Sequence, residues 1–176
     1  MPKVELHISA LPINVRTARL VAAALGRRMG LDAYVIDEVK LAVGEACSRA
    51  VSVHRSESVD QPIIVQFRDD SDVLEISVHD CGPAGALLPA YGEGAADGSV
   101  GGDAVAEEAA NLLEAATNSA QEPADLERAV DVSSLAPRLG LAMIAGLVDD
   151  LSVEDRAHSE VPGGTVVTMR WPIAAV

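Results

Sequence analysis

Glu45 and Arg49 stand four residues apart in Leu41-Ala42-Val43-Gly44-Glu45-Ala46-Cys47-Ser48-Arg49-Ala50, a run with helical periodicity. That spacing sets a carboxylate beside a guanidinium on one helix surface, where the two can pair. A free carboxylate is a proton acceptor, and a paired guanidinium lowers its basicity. Arginine offers only donors, so it cannot ligate a hard cation, but it can hold phosphate oxygens directly. Further on, strand-like Val73-Leu74-Glu75-Ile76-Ser77-Val78 runs into His79-Asp80-Cys81-Gly82-Pro83-Ala84-Gly85. Asp80 supplies an acceptor, and Gly82 and Gly85 let backbone approach a ligand closely. The same residue types also make a plain strand-ending turn. Two more pieces follow, Ala136-Pro137-Arg138-Leu139-Gly140-Leu141 at the start of a helical pattern and Gly163-Gly164-Thr165 before a strand. Backbone amides that open a helix attract anions. Pro137 withholds one such amide, and Arg138 supplies charge in its place.

Other chemistries are missing from the pattern. His7, His54, His79 and His158 have no metal-ligand spacing with Cys47 or Cys81. No Ser-His-Asp arrangement and no Walker loop appears. Two cysteines without a framework point to a reducing cytoplasm rather than to a disulfide or metal pair.

The elements that must position these groups follow from periodicity. Val4, Leu6 and Ile8 alternate with polar neighbours and predict a strand over 3–9. Pro12 opens a helix that Gly30 stops, with Val15, Ala18, Ala22, Leu25 and Met29 on one face. Asp32 caps a second helix from Ala33 to about His54. Its apolar stripe holds Val35, Val39, Ala42, Val43, Ala46, Ala50 and Val53, and Leu41, Glu45, Ser48 and Ser52 form another line. Residues 62–68 and 73–78 read as strands around an Asp69-Asp70-Ser71-Asp72 hairpin turn. A third long helix is expected over 138–149 and a closing antiparallel pair over 151–156 and 165–171. The fold class is an α/β two-layer sandwich with a mixed, largely antiparallel sheet and helices on one face.

At 176 residues and 49% apolar, the chain suits one domain with a real core. Aromatics make up 2% and the net charge is −14, which disfavours nucleic acid as a direct partner. No apolar run is long enough to cross a bilayer, and Met1-Pro2-Lys3-Val4-Glu5 is unlike a signal peptide. Acidity concentrates in 86–136, where ten acids face one base, Arg128. Within this insert 103–117 is expected to be helical and the flanks weakly structured, either as a solvated loop or as a functional arm.

In this order the four pieces resemble the nucleotide pocket of the GHKL ATPases. Among these the pattern is similar to that of the small bacterial anti-sigma factor serine kinases of the RsbW/SpoIIAB type, and the likeness covers nearly the whole chain. The resemblance implies that Glu45 serves in proton transfer at the γ-phosphate of ATP. It implies that Asp80 accepts the adenine amino group, and that Gly82, Gly85 and Gly140 shape the pocket, with Thr165 beginning the last strand. Arg49 occupies the place of the family's Mg²⁺-holding Asn, while Ala84, Ala136 and Arg138 occupy glycine places. His54 lies one position from the family's histidine. The implied protein is cytoplasmic and bacterial, and it sequesters a sigma factor. It is countered by a STAS-type anti-anti-sigma protein and can form a homodimer. With these replacements ATP and Mg²⁺ binding is expected to be weak or lost; the alternative is an active kinase that phosphorylates the anti-anti-sigma partner. The acidic insert then serves partner capture rather than closure over nucleotide.

Overall fold

The computed structural model describes residues 3–70, 72–81, 99–119, 140–155 and 164–173. The elements in chain order are β1 (Lys3–Ile8), α1 (Pro12–Arg28), α2 (Ala33–Ser56), β2 (Ile63–Asp70), β3 (Val73–His79), β4 (Ser99–Gly101) and α3 (Gly102–Ser119). A helix α4, described over 140–145, then leads to β5 (Asp150–Asp155) and β6 (Thr165–Pro172). Six strands form one sheet in the order β1-β2-β3-β6-β5-β4. Every described pairing is antiparallel.

Local chemistry sets the helix ends. Pro12 begins α1, where its missing N–H costs nothing. Gly30, at φ 81, closes that helix in a conformation a β-carbon disfavours. Asp32 caps α2, its Oδ1 accepting from the amides of Tyr34 at 2.8 Å and Val35 at 3.0 Å. That helix ends at Ser56, slightly beyond the expected end.

Strand alternation divides the sheet into two faces. Ile63, Val65, Phe67, Leu74, Ile76, Val78, Val167, Met169 and Trp171 are buried against the helical layer. Ala18 and Ala22 of α1, Val39, Val43 and Ala50 of α2, and Leu141 and Ile144 of α4 complete the core. Each fully buried Val, Leu, Ile or Met contributes about 1.5–3 kcal/mol. The Trp171 indole N–H donates to the Leu147 carbonyl at 3.1 Å, so the largest core side chain leaves no orphan donor. On the other face Lys3, Arg68, Glu75, Arg170 and Asp150 share one cross-strand row. Arg170 bridges Glu75 at 2.9 Å and Asp150 at 2.6 Å.

The middle of the acidic stretch is part of this framework. β4 pairs with β5 through Ser99↔Glu154, Val100↔Val153 and Gly101↔Ser152. Val105 of α3 is fully buried, with Asp103 in the first turn, where an acid suits the helix dipole. The helix expected at 103–117 is therefore present and a little longer, and β4 ahead of it is an additional strand. Of the flanks expected to be weakly structured, 99–101 is instead the strand β4 and 118–119 continue α3, while 86–98 and 120–136 lie outside the described residues. So does the start of the third long helix; its described part ends in a turn before β5.

Candidate functional site

The site is assembled where α2, the end of β3, the start of β6 and Gly140 of α4 meet. Asp80 follows β3 immediately, and the β3–β6 register (His79↔Val166) brings it beside Thr165. The Asp80 N–H donates to the Thr165 carbonyl at 3.0 Å, and the Thr165 N–H donates back to Asp80 Oδ1 at 3.2 Å. The preceding residue, Gly164, has φ +123. A β-carbon there would sit 2.0 Å from the Asp80 carbonyl oxygen, so only glycine admits this approach.

Arg49 enters from α2 and donates from Nη2 to Asp80 Oδ2. Both side chains are 1% exposed, so this is a fully desolvated ion pair. The i,i+4 pair with Glu45 anticipated from spacing is not what Arg49 makes. The reason is rotational: Arg49 lies on the inward stripe with Ala42, Ala46, Ala50 and Val53, all buried, whereas Glu45 lies toward the helix flank and is half-buried. Arg49 Nε and Nη1 are also buried and find no acceptor among the described residues. Such nitrogens are costly to leave unpaired in a protein interior.

Glu45 meets α4 instead. A β-carbon on Gly140 would lie 2.3 Å from Glu45 Oε1, so Gly140 gives the carboxylate room against that helix. No ion pair to Glu45 is found among the described residues. His54, farther along α2, is buried and accepts the Cys81 N–H on Nε2 at 2.8 Å. That bond requires an unprotonated Nε2. Burial lowers the His54 pKa, and the negative charge of Asp80 opposes this in part. Spacing alone did not reveal the link between His54 and Cys81. Cys47 is buried, its thiol pushed up to about 12 by desolvation, and it is inert as a nucleophile.

Of the residues singled out in the sequence, Arg49, Asp80 and Thr165 thus form one bonded cluster, and Glu45 and Gly140 form a second contact. Gly82, Gly85 and Arg138, with Ala84 and Ala136, lie outside the described residues. No group of three or more His, Cys, Asp or Glu suited to a metal ion occurs among the described residues. The Arg49 guanidinium repels a divalent cation and offers it no lone pair. One oxygen of the carboxylate suited to read a base is already bonded to that guanidinium and the other to a backbone amide. Among the described residues, Arg49 and Asp80 are therefore bonded to each other and, through Asp80, to the start of β6.

Comparison with known proteins gives the site a family context. The family described as histidine kinase-like ATPase domain matches residues 8–171. The chain is 33% identical over 79 residues to the serine-protein kinase RsbW of Bacillus subtilis strain 168, covering 45% of this chain and 49% of that protein. It is 36% identical over 81 residues to RsbW of Bacillus pumilus strain SAFR-032, covering 45% and 50%. With RsbW of Bacillus cereus strain Q1 the identity is 38% over 80 residues, covering 46% and 49%. The chain spans about half the length of the curated relatives it matches.

Proposed function

Because the chain belongs to the histidine kinase-like ATPase domain family, we propose that it is a partner-switching regulator of the RsbW type in which nucleotide binding is weak or lost. In this reading it sequesters a sigma factor in the cytoplasm of a bacterium. A STAS-domain anti-anti-sigma protein competes for it, and two copies can pair. The whole of 1–176 acts as one domain, with the acidic stretch at 86–136 contributing to partner capture. The observation that carries the reading is the buried Arg49–Asp80 pair. It fills the cation position with a cation of the protein's own, and it engages the carboxylate that would read adenine. A protein that keeps the family's fold while closing its pocket internally retains the surface for partners and gives up the chemistry.

The experiment is a binding panel. The full chain is mixed with the RNA polymerase sigma subunits and STAS-domain proteins of its source genome, without nucleotide, and complexes are resolved by size-exclusion chromatography. A stoichiometric complex with one sigma subunit, displaced by one STAS protein, is the expected result. Absence of any sigma complex refutes sigma control.

One observation favours the second reading, an ATP-dependent serine/threonine kinase acting on the STAS partner. Glu45 is half-buried and its Oε1 lies against Gly140 of α4, at the place where the family resemblance sets a proton acceptor. Glu45→Ala discriminates: under the second reading it abolishes phosphate transfer to the STAS partner and leaves the circular dichroism spectrum native.

A further inference from the structure

A groove of about 660 Å³ runs between α1 and α2, on a different face of α2 from the Arg49–Asp80 cluster. Three arginines line it, Arg16 and Arg19 from α1 and Arg55 from α2, and neither Asp nor Glu does. In a chain with 27 acids against 13 bases, three cations converging without a carboxylate is unexpected. None of the three takes part in a salt bridge among the described residues, although six other Lys and Arg side chains there do. Ser48 and Ser52 add hydroxyls one helical turn apart. Arg19 is seated on its neighbour: a β-carbon at Gly44 would stand 3.0 Å from Arg19 Cδ, so the stem of Arg19 lies on bare helix backbone. Gly44 thereby holds a guanidinium close to α2, at some expense in helix propensity.

We propose that this α1–α2 groove binds a small phosphate-bearing anion through the guanidinium groups of Arg16, Arg19 and Arg55 and the hydroxyls of Ser48 and Ser52. Forked guanidinium donors match tetrahedral oxyanions, and hydroxyls complete their shell. The volume is that of a small-molecule site. No aromatic side chain lines the groove, although aromatic anchors dominate protein-binding hot spots. The phosphate is carried either by a free metabolite or by a phosphorylated side chain, and the probes below separate the two. The inference does not depend on sigma control, since its test contains neither a sigma factor nor a STAS protein.

The test is an NMR titration of the ¹⁵N-labelled full chain at low ionic strength, with EDTA present, using inorganic pyrophosphate as the first probe. The Nε–H signals of Arg16, Arg19 and Arg55 and the amides of Ser48 and Ser52 are expected to shift with a dissociation constant of about 1 mM or tighter. Arg16→Ala combined with Arg55→Ala is expected to weaken binding at least ~10-fold. Gly44→Ala, a change that favours the helix, is expected to weaken it several-fold by unseating Arg19. A phosphoserine heptapeptide that binds more tightly than pyrophosphate assigns the phosphate to a modified side chain; the reverse order assigns it to a free anion. Unchanged binding in the double arginine variant overturns the proposal, as do shifts confined to Arg49 and Thr165. Equal affinity for a glutamate peptide of the same charge overturns it in favour of an acidic protein segment. No shift up to about 10 mM overturns it outright.

Discussion

Replacing Arg49 by Met should destabilise the protein more than any surface substitution. The guanidinium and the Asp80 carboxylate are each 1% exposed, so the variant leaves a buried carboxylate without the Arg49 charge opposite it. Breaking a buried pair by removing one partner costs about 3–5 kcal/mol. For a chain of this length, 1 kcal/mol moves the melting temperature by about 2–4 °C, so the drop should be roughly 6–20 °C. Asp80→Asn alone keeps an acceptor for the Thr165 N–H but leaves Arg49 uncompensated, with two of its nitrogens already lacking acceptors among the described residues. It should cost a similar amount. The double variant, Arg49→Met with Asp80→Asn, removes both charges while the introduced amide oxygen still accepts from Thr165. It should recover most of the loss, to within about 2 kcal/mol of the parent. The assay is urea unfolding followed by circular dichroism, analysed as a double-mutant cycle. A single Arg49→Met cost below about 1 kcal/mol would contradict a desolvated, mutually compensating pair, as would a double variant as unstable as the two single costs added.

Three further outcomes test neighbouring features. His54 is held neutral by burial, so its folded pKa lies below its ordinary value; the stability it supports is intact above about pH 6.5 and is lost as pH falls through the folded pKa. Melting temperatures of His54→Gln should therefore fall less than those of the parent between about pH 7 and pH 5, and equal slopes would contradict this. Gly164→Ala forces a β-carbon to within 2.0 Å of the Asp80 carbonyl at φ +123 and should cost roughly 3 kcal/mol in urea unfolding. Cys47, with its thiol raised to about 12, should resist a thiol-specific reagent at about pH 8 until the chain is unfolded, and rapid native labelling of Cys47 would contradict its burial.

Much of the framework could be read from the sequence because it is periodic. The alternation at Val4, Leu6 and Ile8, the Pro12 start, the Asp32 cap and the stripe on α2 each specify their element locally. β4 did not announce itself, since Ser99-Val100-Gly101 is three residues with one branched side chain and exists only by pairing with β5. The site was legible in part. Spacing pointed Arg49 at Glu45, the local partner, whereas the actual partner, Asp80, is 31 residues away and arrives through the packing of α2 against the end of β3. A signal was present: Arg49 falls on the same helical stripe as Ala42, Ala46 and Val53, so it had to point inward. In the sequence Gly164 is one of two adjacent glycines before a strand, a common pattern with no sign of a tertiary role. Its necessity comes from the approach of the Asp80 carbonyl, a tertiary contact without local trace.

In the proposed function, Arg49 and Asp80 close the nucleotide pocket from within. Calorimetric titration of the full chain with ATP, with and without Mg²⁺, tests it most directly. The expected dissociation constant is weaker than about 100 μM, less than roughly 5–6 kcal/mol of binding, with no gain from Mg²⁺. Tight, Mg²⁺-dependent binding at about 1 μM or below would contradict it.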